Sequence, residues 1–151
     1  MPPRIPPLAL TLLLVALMWV AARAWPQYSF AAPWLSLLAA AIAVTGLLVC
    51  LLGAKSFRRA GTTVDPRRPT GTSALVARGI YRYSRNPMYL GMLCVVAAWG
   101  LHLGHWPALA CGPLAFVLYL ERFQIAAEER ALEEKFGAEY RAYARAVRRW
   151  L

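Results

Sequence analysis

Charge is confined to a few stretches of this chain, and that confinement limits the fold more than any other feature. From Leu8 to Trp25 the only charged residue is Arg23; from Ala31 to Ala54 there is none in 24 residues, and from Met88 to Leu120 none in 33. A bilayer-crossing helix needs about 20 apolar residues, and 18 helical residues reach roughly 27 Å. The first two stretches therefore predict spans at 8–25 and 31–54. Gly100, His102, Gly104, His105 and Pro107 interrupt the third near its middle. It predicts a hairpin of two shorter helices, 88–101 and 106–120. Only segments that satisfy their own backbone polar groups can sit in lipid in this way. The expected fold class is all-α: one polytopic membrane helix bundle over residues 1–151. It has about four transmembrane helices, polar segments at 55–87 and 121–151, and a C-terminal amphipathic helix at the cytoplasmic face.

Composition points the same way. The chain is 60% hydrophobic and 16% charged, against about a quarter charged for a soluble domain. A disordered tail, a collagen-like fibre and a disulfide-stapled scaffold are excluded, and an ordinary soluble globule fits poorly. The net charge of +10 would by itself point to nucleic acid, but its location does not. With four crossings, 16 of the 17 basic residues fall on one side, Arg23 being the exception, and all seven acids join them. This positive-inside pattern predicts both termini in the cytoplasm, a bacterial-type inner membrane and polar chemistry at the cytoplasmic face. Membrane lipid is the expected surrounding partner, and no nucleic acid is expected. Ala22-Arg23-Ala24 after the first apolar run also fits a signal-cleavage pattern, but the expectation is a retained first span.

Cys50, Cys94 and Cys111 lie inside expected spans without a CxxC neighbour, so they read as small apolar core residues rather than disulfide, zinc or redox groups. His102 and His105 have no carboxylate nearby. They predict an interfacial or hydrogen-bonding role and no metal site.

The segment from Lys55 to Arg85 carries Gly61, Pro66, Pro69, Gly71 and Gly79 as turn formers. Its apolar residues can dock on the interface, and most of its arginines form a headgroup-facing belt. In the tail, Glu121 to Phe136 continues the fourth helix, Gly137 stops it, and a second helix is expected from about Ala138 to Leu151. Tyr140, Tyr143, Ala144, Val147 and Leu151 make its apolar stripe.

Two clusters carry the chemistry. Before the third span, Pro87 suits the first turn of a helix and Asn86 its N-cap. The positive end of that helix favours an electron-rich group, and Arg85 adds a fixed charge. Beyond the fourth span stands Glu128-Glu129, with Glu121 seven residues earlier on the same expected face. Each cluster alone has an ordinary structural explanation: a capped helix with a snorkelling arginine, or acids neutralising a basic surface. The hairpin brings them together. Arg85–Tyr89 and Glu121–Glu129 should be neighbours, and an anion-favouring cap beside two carboxylates suits a zwitterion.

The string Gly79-x-Tyr81-x-x-x-Arg85-Asn86-Pro87-x-Tyr89-x-Gly91 resembles a signature of the membrane methyltransferases that include isoprenylcysteine carboxyl methyltransferases and phospholipid methyltransferases. So does Glu128-Glu129-x-x-Leu132-x-x-x-Phe136-Gly137-x-Glu139-Tyr140-x-x-Tyr143-x-x-x-Val147-x-Arg149-Trp150. The resemblance covers about Phe57–Leu151. It implies S-adenosylmethionine as methyl donor and S-adenosylhomocysteine as product, with Tyr81, Asn86, Pro87, Tyr89, Leu90, Gly91, Glu128 and Glu129 lining the cofactor site. Gly91 would leave room for close approach, and Leu90 would contact the adenine. Arg85 and Glu128 are the catalytic candidates. Arg85 would hold either the donor's carboxylate or an acidic substrate, and a glutamate or a water would take the proton of an amine acceptor. The acceptor is lipophilic or small, its nucleophile a carboxylate, a thiol or a lipid amine.

Two positions depart from the pattern. Many members have His where Asn86 stands, and Asn cannot titrate near neutral pH. In the eukaryotic isoprenylcysteine enzymes an arginine lies one turn before the Glu pair, where this chain has Gln124. Three other readings fit less well. A small multidrug-type transporter needs a membrane-embedded ionisable residue, and no acid precedes Asp65. A sterol reductase-like oxidoreductase needs more spans. A non-catalytic protein retaining the fold would not need both motifs intact.

Overall fold

A computed structural model describes residues 5–30, 32–61 and 74–151. Arg4, the start of the second expected span at Ala31, and the sequence features Val64, Asp65, Pro66, Arg67, Arg68, Pro69 and Gly71 lie outside the described residues.

Among the described residues six α-helices follow one another: α1 Pro7–Ala24, α2 Trp34–Arg59, α3 Pro87–Leu103, α4 Trp106–Tyr119, α5 Ala126–Phe136 and α6 Ala138–Ala146. Among the described residues there is no strand, only an isolated bridge between Ser29 and His105. The chain is an all-α membrane helix bundle. Three helical runs among the described residues are long and apolar enough to cross a membrane: α1, α2 and the continuous run Trp106–Phe136; α3, at 17 residues, is apolar but shorter. Leu37, Leu47, Leu48 and Leu51 on α2 point outward, as lipid-facing side chains do.

Small residues set the packing. A Cβ on Gly91 of α3 would lie 2.4 Å from the Gly46 carbonyl oxygen and 2.6 Å from Cys50 Sγ of α2. The two backbones therefore touch, as at other small-residue membrane interfaces. On the other side of α3, Met18 of α1 fills the space left by Gly100 and Gly112. The core between α1, α3 and α4 holds Leu10, Met18, Val96, Phe116, Leu120 and Ile125.

The α3–α4 turn has Gly104 in the left-handed region at φ 57°. His105 caps α4: its Nδ1 accepts from the Ala108 N–H at 3.3 Å, and its Nε2 lies 3.1 Å from the Trp25 carbonyl oxygen. The histidine serves hydrogen bonding, as expected, and joins this turn to the end of α1.

Between α4 and α5 the helix widens into a π-helical stretch, Leu120–Ile125. Such widening inserts one residue into a helix and is frequent at functional sites. It bears on the expected register: Glu121, expected on the face of Glu128, shares Arg149 with Glu129, eight residues on. The C-terminal helix is also shorter than the sequence stripe predicts. It ends at Ala146, Val147 is extended (φ −126°, ψ 130°), and the remaining residues fold back over the start of α3. Arg130 Nε donates to the Ala126 carbonyl at 3.1 Å.

Candidate functional site

The site lies where the start of α3, the π-helical stretch, α5 and the C-terminal segment meet. A 3₁₀ turn at Gly79–Arg82, with Gly79 at φ 64°, delivers Tyr81 into the interior, where it packs edge-on against Phe57. Ser84 follows, almost fully buried, and its hydroxyl accepts the Asn86 N–H at 3.1 Å.

Pro87 takes the first position of α3, where its missing N–H is harmless. Asn86 holds the N-cap position, but its side chain makes no capping bond. This corrects the expectation that it caps α3. Its amide Nδ2 instead donates to the Arg149 carbonyl at 3.0 Å, so the short side chain is turned toward the C-terminal segment.

Across the site stand the two glutamates. Glu128 Oε1 accepts from the Tyr89 phenol at 2.6 Å and from the Gln124 amide. Glu129 receives two cations. Arg85 Nη1 lies 3.0 Å from Oε1; Arg149 forks onto both oxygens, Nε to Oε1 at 3.0 Å and Nη2 to Oε2 at 2.7 Å. Parallel two-point pairing of this kind fixes direction as well as distance. Arg85 Nη1 also donates to the Tyr140 hydroxyl at 3.1 Å, whereas its buried Nε finds no partner among the described residues. The Tyr143 hydroxyl donates to the Tyr81 carbonyl at 2.8 Å, and the Trp150 indole N–H to Glu121 at 3.0 Å.

The electrostatics follow from this packing. Burial pushes the phenols of Tyr81, Tyr140 and Tyr143 above the usual tyrosine range; for Tyr140, Glu129 adds to the rise while Arg85 and Arg149 oppose it. The hydrogen bonds to Glu129 push Arg149 further up.

The structure thus brings Arg85, Asn86, Tyr89, Glu128 and Glu129 together, with Pro87 as the helix start and Tyr81 beneath. Gly91 stands apart from them: its Cα faces the α2 backbone, so its smallness serves helix contact at that point. Leu90, one residue before it, is half-buried, and its N–H closes the first turn of α3 on the Asn86 carbonyl. A cleft of about 330 Å³ opens beside Arg85 and Glu129, with Tyr140, Arg141 and Arg145 on its wall. Its size reaches the lower range of small-molecule sites. Gln124 and Arg149 are members that residue-by-residue reading passed over. Gln124 stood out only as an uncharged polar residue at a departing position, and Arg149 only as one letter of the second string. Among the described residues no group of three His, Cys, Asp or Glu is placed to hold a metal.

A family profile described as phospholipid methyltransferase matches residues 34–139. An uncharacterized protein of Haemophilus influenzae is 52% identical over 64 residues, which are 42% of this chain and 100% of that protein. No solved structure matches.

Proposed function

The chain belongs to the phospholipid methyltransferase family and is a membrane methyltransferase, and from that premise we propose that it uses S-adenosylmethionine at the cytoplasmic face of an inner membrane. The acceptor is a lipid-soluble or small molecule presenting a carboxylate, a thiol or a lipid amine. One observation carries the reading: the helix start bearing Arg85 and Asn86 and the carboxylates of Glu128 and Glu129 meet at one end of the bundle, 3.0 Å apart at Arg85–Glu129.

The set fits the donor chemically. Arg85 and the Asn86 amide suit its carboxylate, and Glu128 and Glu129 suit its ammonium and ribose hydroxyls. When bound, the sulfonium supplies an electrophilic methyl group for in-line transfer. The chain's own residues bind and align. Arg85 fixes an anionic group beside the helix start, whose dipole favours it. Tyr89 and Gln124 hold the Glu128 carboxylate from two sides. Such alignment can be worth roughly 7–11 kcal/mol of barrier. A carboxylate or thiolate acceptor requires no base; for an amine, Glu128 or water takes the proton. Asn86 does not titrate near neutral pH and so takes no part in proton transfer.

The test is a methylation assay with labelled donor on purified protein, offering membrane lipids, small thiols and prenylcysteine analogues. Label is expected on one of these classes and lost with Glu128→Gln. Transfer to none of them by the wild-type protein would contradict the reading.

A further inference from the structure

Arg149 is used by nothing in the proposed chemistry, yet it touches both halves of the site. Its guanidinium forks onto Glu129 of α5, and its carbonyl oxygen accepts from the Asn86 amide at the start of α3. The segment around it is tied down on both sides. The Arg148 carbonyl accepts the Arg85 N–H at 3.0 Å, the Arg149 carbonyl lies 3.4 Å from the Ser84 hydroxyl, and Trp150 bonds Glu121 at 3.0 Å. Residues 147–151 therefore run as a strap from the end of α6 across the start of α3 to the π-helical stretch.

Without this residue Glu129 keeps only Arg85, whose Nη1 also serves Tyr140. Oxygen Oε2 of Glu129 then loses the shortest of its ionic contacts, at 2.7 Å. The carboxylate is free to turn about its side-chain bonds. A ligand bound through Glu129 would have to meet the cost of fixing it again.

We propose that Arg149 is a positioning residue of the donor site, acting through Glu129, and that the C-terminal strap is therefore part of that site. This rests on the reading of Glu129 as a donor ligand. A lysine cannot replace the fork: its ammonium is a point donor, whereas the guanidinium matches a carboxylate at two points.

The experiment is a double-mutant cycle on donor affinity, using full-length protein in detergent and S-adenosylmethionine as probe. Elution profile and helical signal are recorded for each variant. Glu129→Gln and Arg149→Ala are each expected to weaken binding about tenfold, and the double variant no further. Arg149→Lys, which preserves the charge, is expected to recover only part of the loss. Undiminished affinity in a folded Arg149→Ala, or losses that simply multiply in the double variant, would overturn the proposal. If Arg149→Ala does not fold, the lysine variant decides: full wild-type affinity overturns the proposal and partial loss supports it. Should the wild-type protein bind no donor, it is the functional reading that fails, and the cycle shows this before any variant is compared.

Discussion

The phenol of Tyr89, in the first turn of α3, donates to Oε1 of Glu128 on α5 at 2.6 Å, and the Gln124 amide one turn before Glu128 donates to the same oxygen. Two helices and the π-helical stretch thus converge on one carboxylate atom. Tyr89→Phe keeps the ring and removes one of the two donors. The expected result is a loss of about 1 kcal/mol in stability and a severalfold weaker donor affinity, read by thermal unfolding in detergent and by titration. Equal values for both proteins would show that this bond neither holds the helices nor orients the carboxylate.

The second prediction concerns Gly91. A Cβ there would stand 2.4 Å from the Gly46 carbonyl oxygen, which is backbone and cannot swing aside. Gly91→Ala is expected to force α2 and α3 apart at a cost of about 1–3 kcal/mol, lowering the unfolding temperature. Gly61→Ala is the useful contrast. A Cβ at Gly61 would meet nothing within 4 Å, so only its positive φ of 63° opposes the change, and the expected cost is about 1 kcal/mol. A Gly91 variant as stable as wild type would mean the helix contact is looser than described.

These contacts also show how much was legible beforehand. The bundle could be read because charge-free runs of 24 and 33 residues admit few other folds, and the hairpin because Gly104 and His105 break the second run. That Arg85–Tyr89 and Glu121–Glu129 are neighbours follows from that hairpin; that Arg85 meets Glu129 and Tyr89 meets Glu128 does not. Three further features were not legible. The π-helical widening at Leu120–Ile125 has no period of its own, so regular helical spacing puts Glu121 on the face of Glu128. The stripe through Val147 and Leu151 continues a helical pattern that the strap's hydrogen bonds to Arg85 and Asn86 override. Asn86 stands where a cap belongs, and only the returning strap shows why its amide turns elsewhere.

The buried phenols set an alkaline limit. Tyr81, Tyr140 and Tyr143 have folded-state pKa values above the ordinary tyrosine value of about 10. A group whose pKa is raised on folding contributes its stability in full below the unfolded value and loses it as pH climbs beyond. The unfolding temperature should therefore be insensitive to these groups from pH 7 to 9 and decline above about pH 10. Tyr143→Phe should be less stable at neutral pH, having lost its bond to the Tyr81 carbonyl, yet decline less steeply above pH 10. An identical alkaline slope in the variant would remove Tyr143 from this account.

Orientation is testable separately. With 16 of 17 basic residues on one side of four expected crossings, reporters fused after Leu151 should be active in the cytoplasm. Reporters inserted at the His102–His105 turn should be active on the opposite side. A C-terminal reporter active outside would reverse the proposed face of the chemistry.

Calorimetric titration of the purified protein with S-adenosylmethionine, wild type beside Glu128→Gln and Asn86→Ala, reaches the central claim most directly. The account predicts one saturable site in the wild type, weakened at least tenfold in each variant while the helical signal stays the same. Affinity left unchanged by both substitutions would place the methyl donor somewhere other than between the start of α3 and the paired glutamates.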